Sequence, residues 1–483
     1  MTAVAGSASP GLRARLADAL AGRSGADGVR WALRAAAPRA ALRRELAALL
    51  PPGQPLVACR LVRAKFKPGR RLNAWYDLDL GPAGRRAVAV TWEPWDERAD
   101  PPGADGQAAR ARRAGGPAEQ EMEAEARAEG LAEPFTRLRT AAPALGLRAQ
   151  VAPLDPTHPH LVRLSSPRRV PELLRRAGVP AAEADGWTVA AVRYRPGQRH
   201  VLRWQPAGGA PLFAKLYRGG HSARAARVAG TVADLLDHAG GGIAAARPLA
   251  HLPAEDALVY PLVPGRPLTG ALGRPSAALA AHLAQAGAVL RALHAAPAAL
   301  AGDLPPRTLE DDARELDRAA GHVRFLLPAA GAGLDELLGR VRELDARLGR
   351  QAPVFTHGDY KADHLWGAGE RLTVLDFNTC SLAEPALDLG KLMADLRWCG
   401  AGSARFDPAW ALRHLLEGYG PAGRELLPRI RLYEALVLAK ITVRRVRIGD
   451  PDWAARTAAV LARAGELAGE LEADTRRARV PQA

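Results

Sequence analysis

Lysine is nearly missing from this chain. Of its 67 basic residues only six are lysine, Lys65, Lys67, Lys215, Lys361, Lys391 and Lys440. With abundant Ala, Gly and Pro, that imbalance reads as the coding bias of a GC-rich genome. The net charge of +16 is therefore weak grounds for a nucleic-acid partner. The basic residues are scattered, and zinc-finger, RNA-recognition and basic-zipper signatures are lacking, so no specific nucleic acid is expected. Cysteine is scarce too. Cys59, Cys380 and Cys399 share no paired spacing, which argues against a disulfide framework or zinc site and suits a reducing compartment. Long apolar runs are missing: Arg13, Arg15 and Arg23 interrupt the start, and His282, Gln285, Arg291 and His294 break the Ala/Leu-rich stretch 277–302. A cytoplasmic protein with no membrane contact is expected. No G-x-G-x-x-G or Walker loop is present. At 483 residues the chain exceeds one ordinary core, so two or three domains are expected.

Residues 10–50 place Leu12, Leu16, Leu20, Leu42, Leu46, Leu49 and Leu50 at helical spacing and stop at Pro51-Pro52-Gly53. Strands are predicted over 56–65, 72–80 and 87–92, with a turn at Lys67-Pro68-Gly69-Arg70. From Glu93 to about Glu129 the composition collapses into Pro, Gly, Ala, Arg and Glu, which reads as a mobile insertion near 94–130, helical toward its acidic end. A short helix is predicted at 170–178. From Trp187 a second meander follows. Its turn, Arg193-Tyr194-Arg195-Pro196-Gly197-Gln198-Arg199, lies 128 residues after Lys65-Phe66-Lys67-Pro68-Gly69-Arg70-Arg71. Lys215 stands in the second copy where Thr91 stands in the first, so only the second can grip a phosphate there. Pro-Gly turns alone need no duplication, since turns have few solutions. Helices are predicted over 222–238, 276–296, 308–325, 332–349, 385–399, 408–418, 424–447 and 452–478, and a strand over 256–263. Strands before helices mean a small sheet lobe on a larger helical lobe.

The most informative stretch is Val354-Phe355-Thr356-His357-Gly358-Asp359, followed by a second apolar run ending at Asp376-Phe377, 17 residues after the first aspartate. Two carboxylates at the ends of neighbouring hairpin strands can face one pocket. One can orient a hydroxyl and take its proton while the other holds a magnesium ion on a nucleotide's phosphates.

With Glu384-Pro385-Ala386-Leu387-Asp388-Leu389, this pattern resembles the aminoglycoside phosphotransferase family in a capped form. The resemblance covers about 185–400. It implies an α+β, bilobal protein-kinase-like fold, with a sheet N-lobe at 181–264 and a helical C-lobe at 265–483, preceded by an N-terminal α+β cap domain at 1–180. It implies ATP (or GTP) and Mg2+ as cofactors and a small-molecule hydroxyl acceptor. It casts Asp359 as catalytic and Asp376 as the metal ligand. Lys215 neutralises phosphate charge, and the turn with Arg195, Gly197 and Arg199 covers the phosphates. The backbone at Tyr260, Leu262 and Val263 holds the base, and His357, Gly358 and Asp388 brace the loop.

Two departures stand out. His364 occupies the place of the family's second metal ligand, an asparagine, and magnesium prefers oxygen; Asp363 is an alternative oxygen donor. The helix after Lys215 carries Arg224 and Arg227 and no glutamate, so the usual lysine–glutamate pair is absent or replaced. A nucleotide- or partner-binding pseudokinase, and a kinase acting on a peptide Ser/Thr, stay open beside the small-molecule kinase. Asp155-Pro156 and His158-Pro159-His160 read as a structural turn region. His200, His221, His282 and His294 show no metal-ligand spacing and read as solvated or core histidines. Trp92, Trp95, Trp187, Trp204, Trp366 and Trp398 read as core anchors. Asp311, Asp312 and Glu315 read as a solvated acidic face, and Asp395 and Arg397 as surface or helix-pairing residues.

Overall fold

Residues 10–94, 116–180, 185–297, 300, 302, 304–401, 405–421 and 423–477 are described by a computed structural model of the chain. The fold class is α+β, as expected. The chain divides into two compact units: Met1–Ala223 with Leu249–Leu262 and Arg447–Trp453, and Arg224–Pro248 with Val263–Val446 and Ala454–Ala483.

The first unit opens with the helices Pro10–Ala21, Gly25–Arg34 and Ala36–Ala47. Strands β1 (Ala58–Lys67), β2 (Arg71–Asp79) and β3 (Arg85–Trp92) form the predicted meander. Residues 95–115 of the expected insertion, with Trp95, lie outside the described residues, and its acidic end is the helix Pro117–Ala128. Strands β4 (Arg139–Ala142) and β5 (Leu147–Val151) complete an antiparallel sheet ordered β1-β2-β3-β5-β4. Alternation assigns its two faces. Ala64, Phe66, Leu72, Ala74, Val88, Val90, Ala149 and Val151 are buried on one. The other carries the cross-strand row Lys65, Asn73, Thr91, Arg148.

Strands β6 (Thr188–Arg193), β7 (Val201–Gln205) and β8 (Leu212–Leu216) form the second meander. Strand β9 (Ile243–Ala245) belongs to the other unit, while β10 (Ala250–Leu252) and β11 (Ala257–Pro261) finish a sheet ordered β6-β7-β8-β11-β10. This is the first sheet's order again. The row Arg193, Val201, Lys215, Leu258 matches Lys65, Asn73, Thr91, Arg148 position for position. Each final hairpin turns through a short 3-10 helix, Pro143–Leu145 or Pro253–Glu255, closed by a left-handed residue, Gly146 or Asp256. The likeness therefore extends well beyond two Pro-Gly turns. The expected segment 1–180 shares this unit with residues 181–223 and 249–262 of the expected segment 181–264, whose residues 224–248 and 263–264 fall in the second unit; the shared part holds together because its apolar residues form one core. Leu161, Leu164, Val170, Leu173 and Leu174 from the short helices Leu161–Ser165 and Val170–Arg176 pack in one cluster with Trp187, Leu202, Trp204 and Leu212. Of the remaining expected anchors, Trp92 is buried, whereas Trp366 and Trp398 are half-buried.

In the second unit, β12 (Arg266–Pro267), β14 (Leu365–Ala368) and β15 (Arg371–Val374) join β9 in the order β12-β14-β15-β9, and β13 (Val354–Thr356) pairs with β16 (Ser381–Ala383). Helices Ala277–His294, Leu309–Ala319, Gly321–Leu326, Pro328–Arg347, Ala386–Gly400, Pro408–Tyr419 and Leu426–Arg444, with most of Trp453–Arg477, surround them. Starts are capped locally: Ser276 Oγ accepts the Leu279 amide at 3.2 Å, and Thr308 and Asp311 form a capping box. Helices Ala277–His294 and Pro408–Tyr419 meet backbone to backbone. A Cβ on Gly287 would lie 2.0 Å from the Leu415 carbonyl oxygen and one on Gly418 1.7 Å from that of Ala284, so only glycine fits.

Arg429 is fully buried and holds this unit together. Its Nε donates to Glu384 Oε2 at 2.8 Å, its Nη1 to Asp345 Oδ1 at 2.7 Å, and its Nη2 to Glu384 Oε1. The helices Leu426–Arg444 and Pro328–Arg347 are thereby tied to the residue that precedes Pro385 and the site helix. Removing the cation strands the Glu384 carboxylate in a low-dielectric interior and leaves Asp345 with Arg350 alone. Arg429→Leu should cost about 3–5 kcal/mol of stability, read as a lower urea midpoint for this unit. An unchanged midpoint would show that the network contributes nothing net.

Candidate active site

Strand β13 delivers His357-Gly358-Asp359, and its backbone leaves the sheet at once. Gly358 has φ +74°, and a Cβ there would sit 2.1 Å from the Thr379 carbonyl oxygen, so the turn requires glycine. Two consecutive amides are then left without strand partners. Asp388, in the first turn of the helix Ala386–Gly400, takes both: Oδ2 accepts from the His357 N–H at 2.6 Å and Oδ1 from the Gly358 N–H at 2.8 Å. His294 Nε2 stands 3.4 Å from Oδ2. Burial alone would raise the pKa of this fully enclosed carboxyl, but the His294 contact and the backbone amide hold it below its ordinary value. Asp388 thus holds the backbone of the loop at His357 and Gly358. His357 Nε2 lies 3.1 Å from the Leu375 carbonyl, which can only accept, so the proton is on Nε2. Its Nδ1 then accepts the Asp359 N–H at 3.3 Å.

Asp359 lies between two ammonium groups, Lys361 Nζ at 2.7 Å from Oδ2 and Lys391 Nζ at 3.0 Å from Oδ1. Burial would raise its pKa, but Lys391 and then Lys361 outweigh that and hold the carboxyl well below the usual carboxylate range. Asp359 is an anion across the neutral range.

Asp376 follows β15 in a left-handed conformation, φ +69°, uncommon for a non-glycine residue and typical of functional turns. His364 joins the two aspartates. Its Nδ1 donates to the Asp359 carbonyl at 3.1 Å, and its Nε2 lies 3.6 Å from Asp376 Oδ2. Burial pushes its pKa down to about 3 against the pull of Asp376, so the ring is neutral. With Nδ1 protonated, Nε2 offers a lone pair beside a carboxylate. That donor pair fits a divalent cation with one nitrogen and one oxygen ligand. Asp363 instead carries its carbonyl toward Trp366, whose indole N–H donates to it at 3.1 Å.

The other expected binding residues lie in the first unit, except Val263, which opens a segment of the second. Lys215 is half-buried on β8, its Nζ 5.6 Å from the centroid of the Tyr217 ring. Arg195 and Arg199 flank the second Pro-Gly turn, where burial first, and then Arg193 and Arg63, push Arg195 down to about 10. The Gly197 amide, expected to approach phosphates, donates to Asp155 Oδ2 at 2.9 Å. Its close approach is therefore to the cap's own aspartate. Tyr260 pairs with Phe213 across β11 and β8, and Leu262 lies just beyond β11.

Three readings need correction. Asp312 is not a solvated acid. It is buried, bonded by Arg307 Nη2 at 2.6 Å and by Lys440, while Glu315 pairs with Lys440 and Arg444. Only Asp311 is exposed, as a cap. Asp395 is not on the surface. It is buried and accepts the Ala362 amide at 3.0 Å and Arg445 Nη2 at 2.8 Å, fixing the far side of the loop, whereas Arg397 pairs with Glu434 across two helices. His200 is a core histidine, as expected, but Asp155, His158 and His200 form a buried cluster with polar atoms within 4.8 Å of one another. Their separation in sequence hides it. Lys361, Lys391, Arg307 and Asp395 were missed as site residues. The rarity of lysine was the available signal for the first two.

The phosphotransferase enzyme family model matches residues 192–427. The match spans just under half of the chain, from within β6 to the start of the helix Leu426–Arg444. No curated protein sequence matches it. Among solved structures, it is similar to a spectinomycin phosphotransferase with ADP and spectinomycin (16% identity, 63% of this chain and 98% of that one, TM-score 0.44). It is similar also to a choline/ethanolamine kinase family protein from Mesorhizobium loti (20%, 61% and 92%, TM-score 0.42). A third is an amicoumacin kinase with AMP-PNP and Ca2+ (15%, 57% and 88%, TM-score 0.42).

Lys391 is the strongest influence lowering the Asp359 pKa, so Lys391→Met should let that pKa rise. If ionised Asp359 is required for turnover, the acid limb of the kcat/KM profile should move up by about one pH unit or more. An unmoved limb would mean that Asp359 does not set it.

Proposed function

We propose that the chain transfers the γ-phosphoryl group of ATP, or of GTP, to a hydroxyl of a small molecule (a sugar, an antibiotic or another metabolite), with Mg2+ or a similar divalent ion. The observation carrying this reading is the loop in which Asp359 and Asp376 stand on either side of His364, within one clamp of buried hydrogen bonds. The relatives named above act on antibiotics or belong to a choline/ethanolamine kinase family, which supports a small polar acceptor without selecting one.

In this reading Asp359 orients the acceptor hydroxyl and receives its proton as the bond to phosphorus forms. A carboxylate held far below its ordinary pKa is a weak base. Its contribution is therefore mainly positional, with the proton moving late in a loose transition state. Lys361 and Lys391 keep Asp359 anionic, and their ammonium groups can also face the transferred phosphoryl oxygens. Asp376 and His364 would hold the divalent ion, which supplies charge neutralisation on the nucleotide.

The test is a coupled ADP-release screen of purified protein against a library of hydroxyl acceptors, with two variants beside the native chain. Asp359→Ala should lower turnover about 10²–10⁴-fold while leaving nucleotide affinity nearly intact. Asp376→Ala should abolish metal-dependent stabilisation by nucleotide in a thermal-shift assay. Full turnover by Asp359→Ala would refute the role given to it. Nucleotide binding with no turnover on any acceptor would favour the pseudokinase.

A nitrogen ligand also predicts metal choice. Manganese accepts mixed N/O donor sets more readily than magnesium. His364→Asn should therefore lower the ratio of Mn2+- to Mg2+-supported activity several-fold and weaken Mn2+ affinity measured by electron paramagnetic resonance. An unchanged ratio and affinity would remove His364 from the metal site.

A further inference from the structure

The polar face of the first sheet opens onto a cavity of about 1100 Å³ built wholly from the first unit. That volume is ample for a metabolite-sized ligand. Six cationic side chains line it, Lys65, Lys67, Arg71, Arg137, Arg139 and Arg148, against three carboxylates, Glu119, Glu123 and Asp155. The three acids already have partners. Glu119 and Glu123 from the helix Pro117–Ala128 both engage Arg139. Asp155 accepts from His158, His200 and the Gly197 amide, each within 2.9 Å. Arg148 pairs with Glu93 at 2.7 Å, and Arg137 donates to the Ala48 carbonyl.

Lys67 and Arg71 make no side-chain hydrogen bond or ion pair among the described residues. They are nonetheless direct cross-strand partners in β1 and β2. Like charges placed opposite each other destabilise a hairpin, and no carboxylate among the described residues pairs with either side chain. Partial desolvation against the sheet face, and then Arg71 and Arg70, lower the Lys67 pKa although its side chain is exposed. Behind them the floor is half-buried and neutral but polar: Asn73 on β2, Thr91 on β3 and Gln150 on β5, with Thr91 Oγ1 donating to Asn73 Oδ1 at 3.0 Å. These three strands lie inside the sheet, where a purely structural face is normally apolar.

Lysine usage points the same way. Of the six lysines in the chain, Lys361, Lys391 and Lys440 are ion-paired around the Asp359 loop, and two others, Lys65 and Lys67, line this cavity. A compact ammonium serves a phosphate oxygen as a point charge where the planar guanidinium needs a fork.

We propose that this cavity is a binding site for a phosphorylated, hydroxyl-bearing small molecule, its phosphate held by Lys67 and Arg71 and its hydroxyls by Asn73, Thr91 and Gln150. The proposal does not depend on the phosphotransferase reading.

Isothermal titration calorimetry at low salt, with glucose 6-phosphate as the probe and glucose as its phosphate-free control, tests it. The background is the full-length Asp376→Ala chain, so that the nucleotide site is impaired throughout. Saturable binding of glucose 6-phosphate, at least tenfold weaker or lost in the Lys67→Ala/Arg71→Ala variant and absent with glucose, is the expected result. Both substituted side chains are exposed, and an unchanged far-ultraviolet circular dichroism spectrum confirms that this variant folds; Arg71→Glu, which reverses a charge at an exposed position, should block binding by itself. Failure of glucose 6-phosphate and inorganic pyrophosphate alike to bind saturably, or binding that both variants leave within twofold, would overturn the proposal.

Discussion

Everything at the candidate active site depends on one buried carboxylate accepting two consecutive backbone amides. A turn passing through φ +74° at Gly358 cannot continue β13, so the amides of His357 and Gly358 would be stranded in the interior. Asp388 satisfies both, and its charge is tolerated there because the amides and His294 surround it. Seven residues later on the same helix, hence on the same face, Asp395 takes the Ala362 amide. One helix thus clamps the loop at both ends. The direction of Asp359 is fixed before any ligand arrives, the preorganisation that a positional mechanism needs.

Charge reaches this clamp from farther away. Lys440 and Arg307 share Asp312, and Arg307 Nη1 also donates to the Gly358 carbonyl at 3.1 Å. Lys361 and Lys391 converge on Asp359 itself. The three lysines of the second unit therefore belong to two groups of ion pairs that meet at one loop, the first reaching it through the Arg307 hydrogen bond to the Gly358 carbonyl. The excess of arginine elsewhere makes that placement meaningful, because a chain rich in guanidinium has kept ammonium where a compact, adjustable cation fits.

What could be read in advance was local. The His-Gly-Asp turn, the second aspartate and the spacing to Asp388 lie within 32 residues. Amphipathic periodicity located the large helices because each must bury one stripe. What could not be read was made by contacts between distant positions. Asp312 looked solvated because its helix carries Glu310, Asp311 and Glu315, and only Arg307 and Lys440 reveal that it points inward. Asp155, His158 and His200 looked unrelated for the same reason. The likeness of the two meanders was legible as a shared turn, but the matching row of residues is a property of cross-strand register, which depends on pairing rather than on spacing.

That row shows how the two copies have divided their duties. The second carries Lys215 where the first has Thr91, and the first carries glutamates in its helix where the second has none. Glu119 and Glu123 tie the helix Pro117–Ala128 to Arg139 on β4, so the first helix is fixed to its sheet by ion pairs. The second helix, His221–Ala239, is fixed by a different device. Asp256, the left-handed residue closing the turn before β11, accepts the Gly220 amide at 2.9 Å and the Ser222 amide at 2.8 Å at the helix start, and His251 on β10 bonds Ser222 Oγ. A carboxylate there satisfies orphan amides and complements the helix dipole. The start of that helix is therefore held by Asp256 and His251, with no glutamate involved.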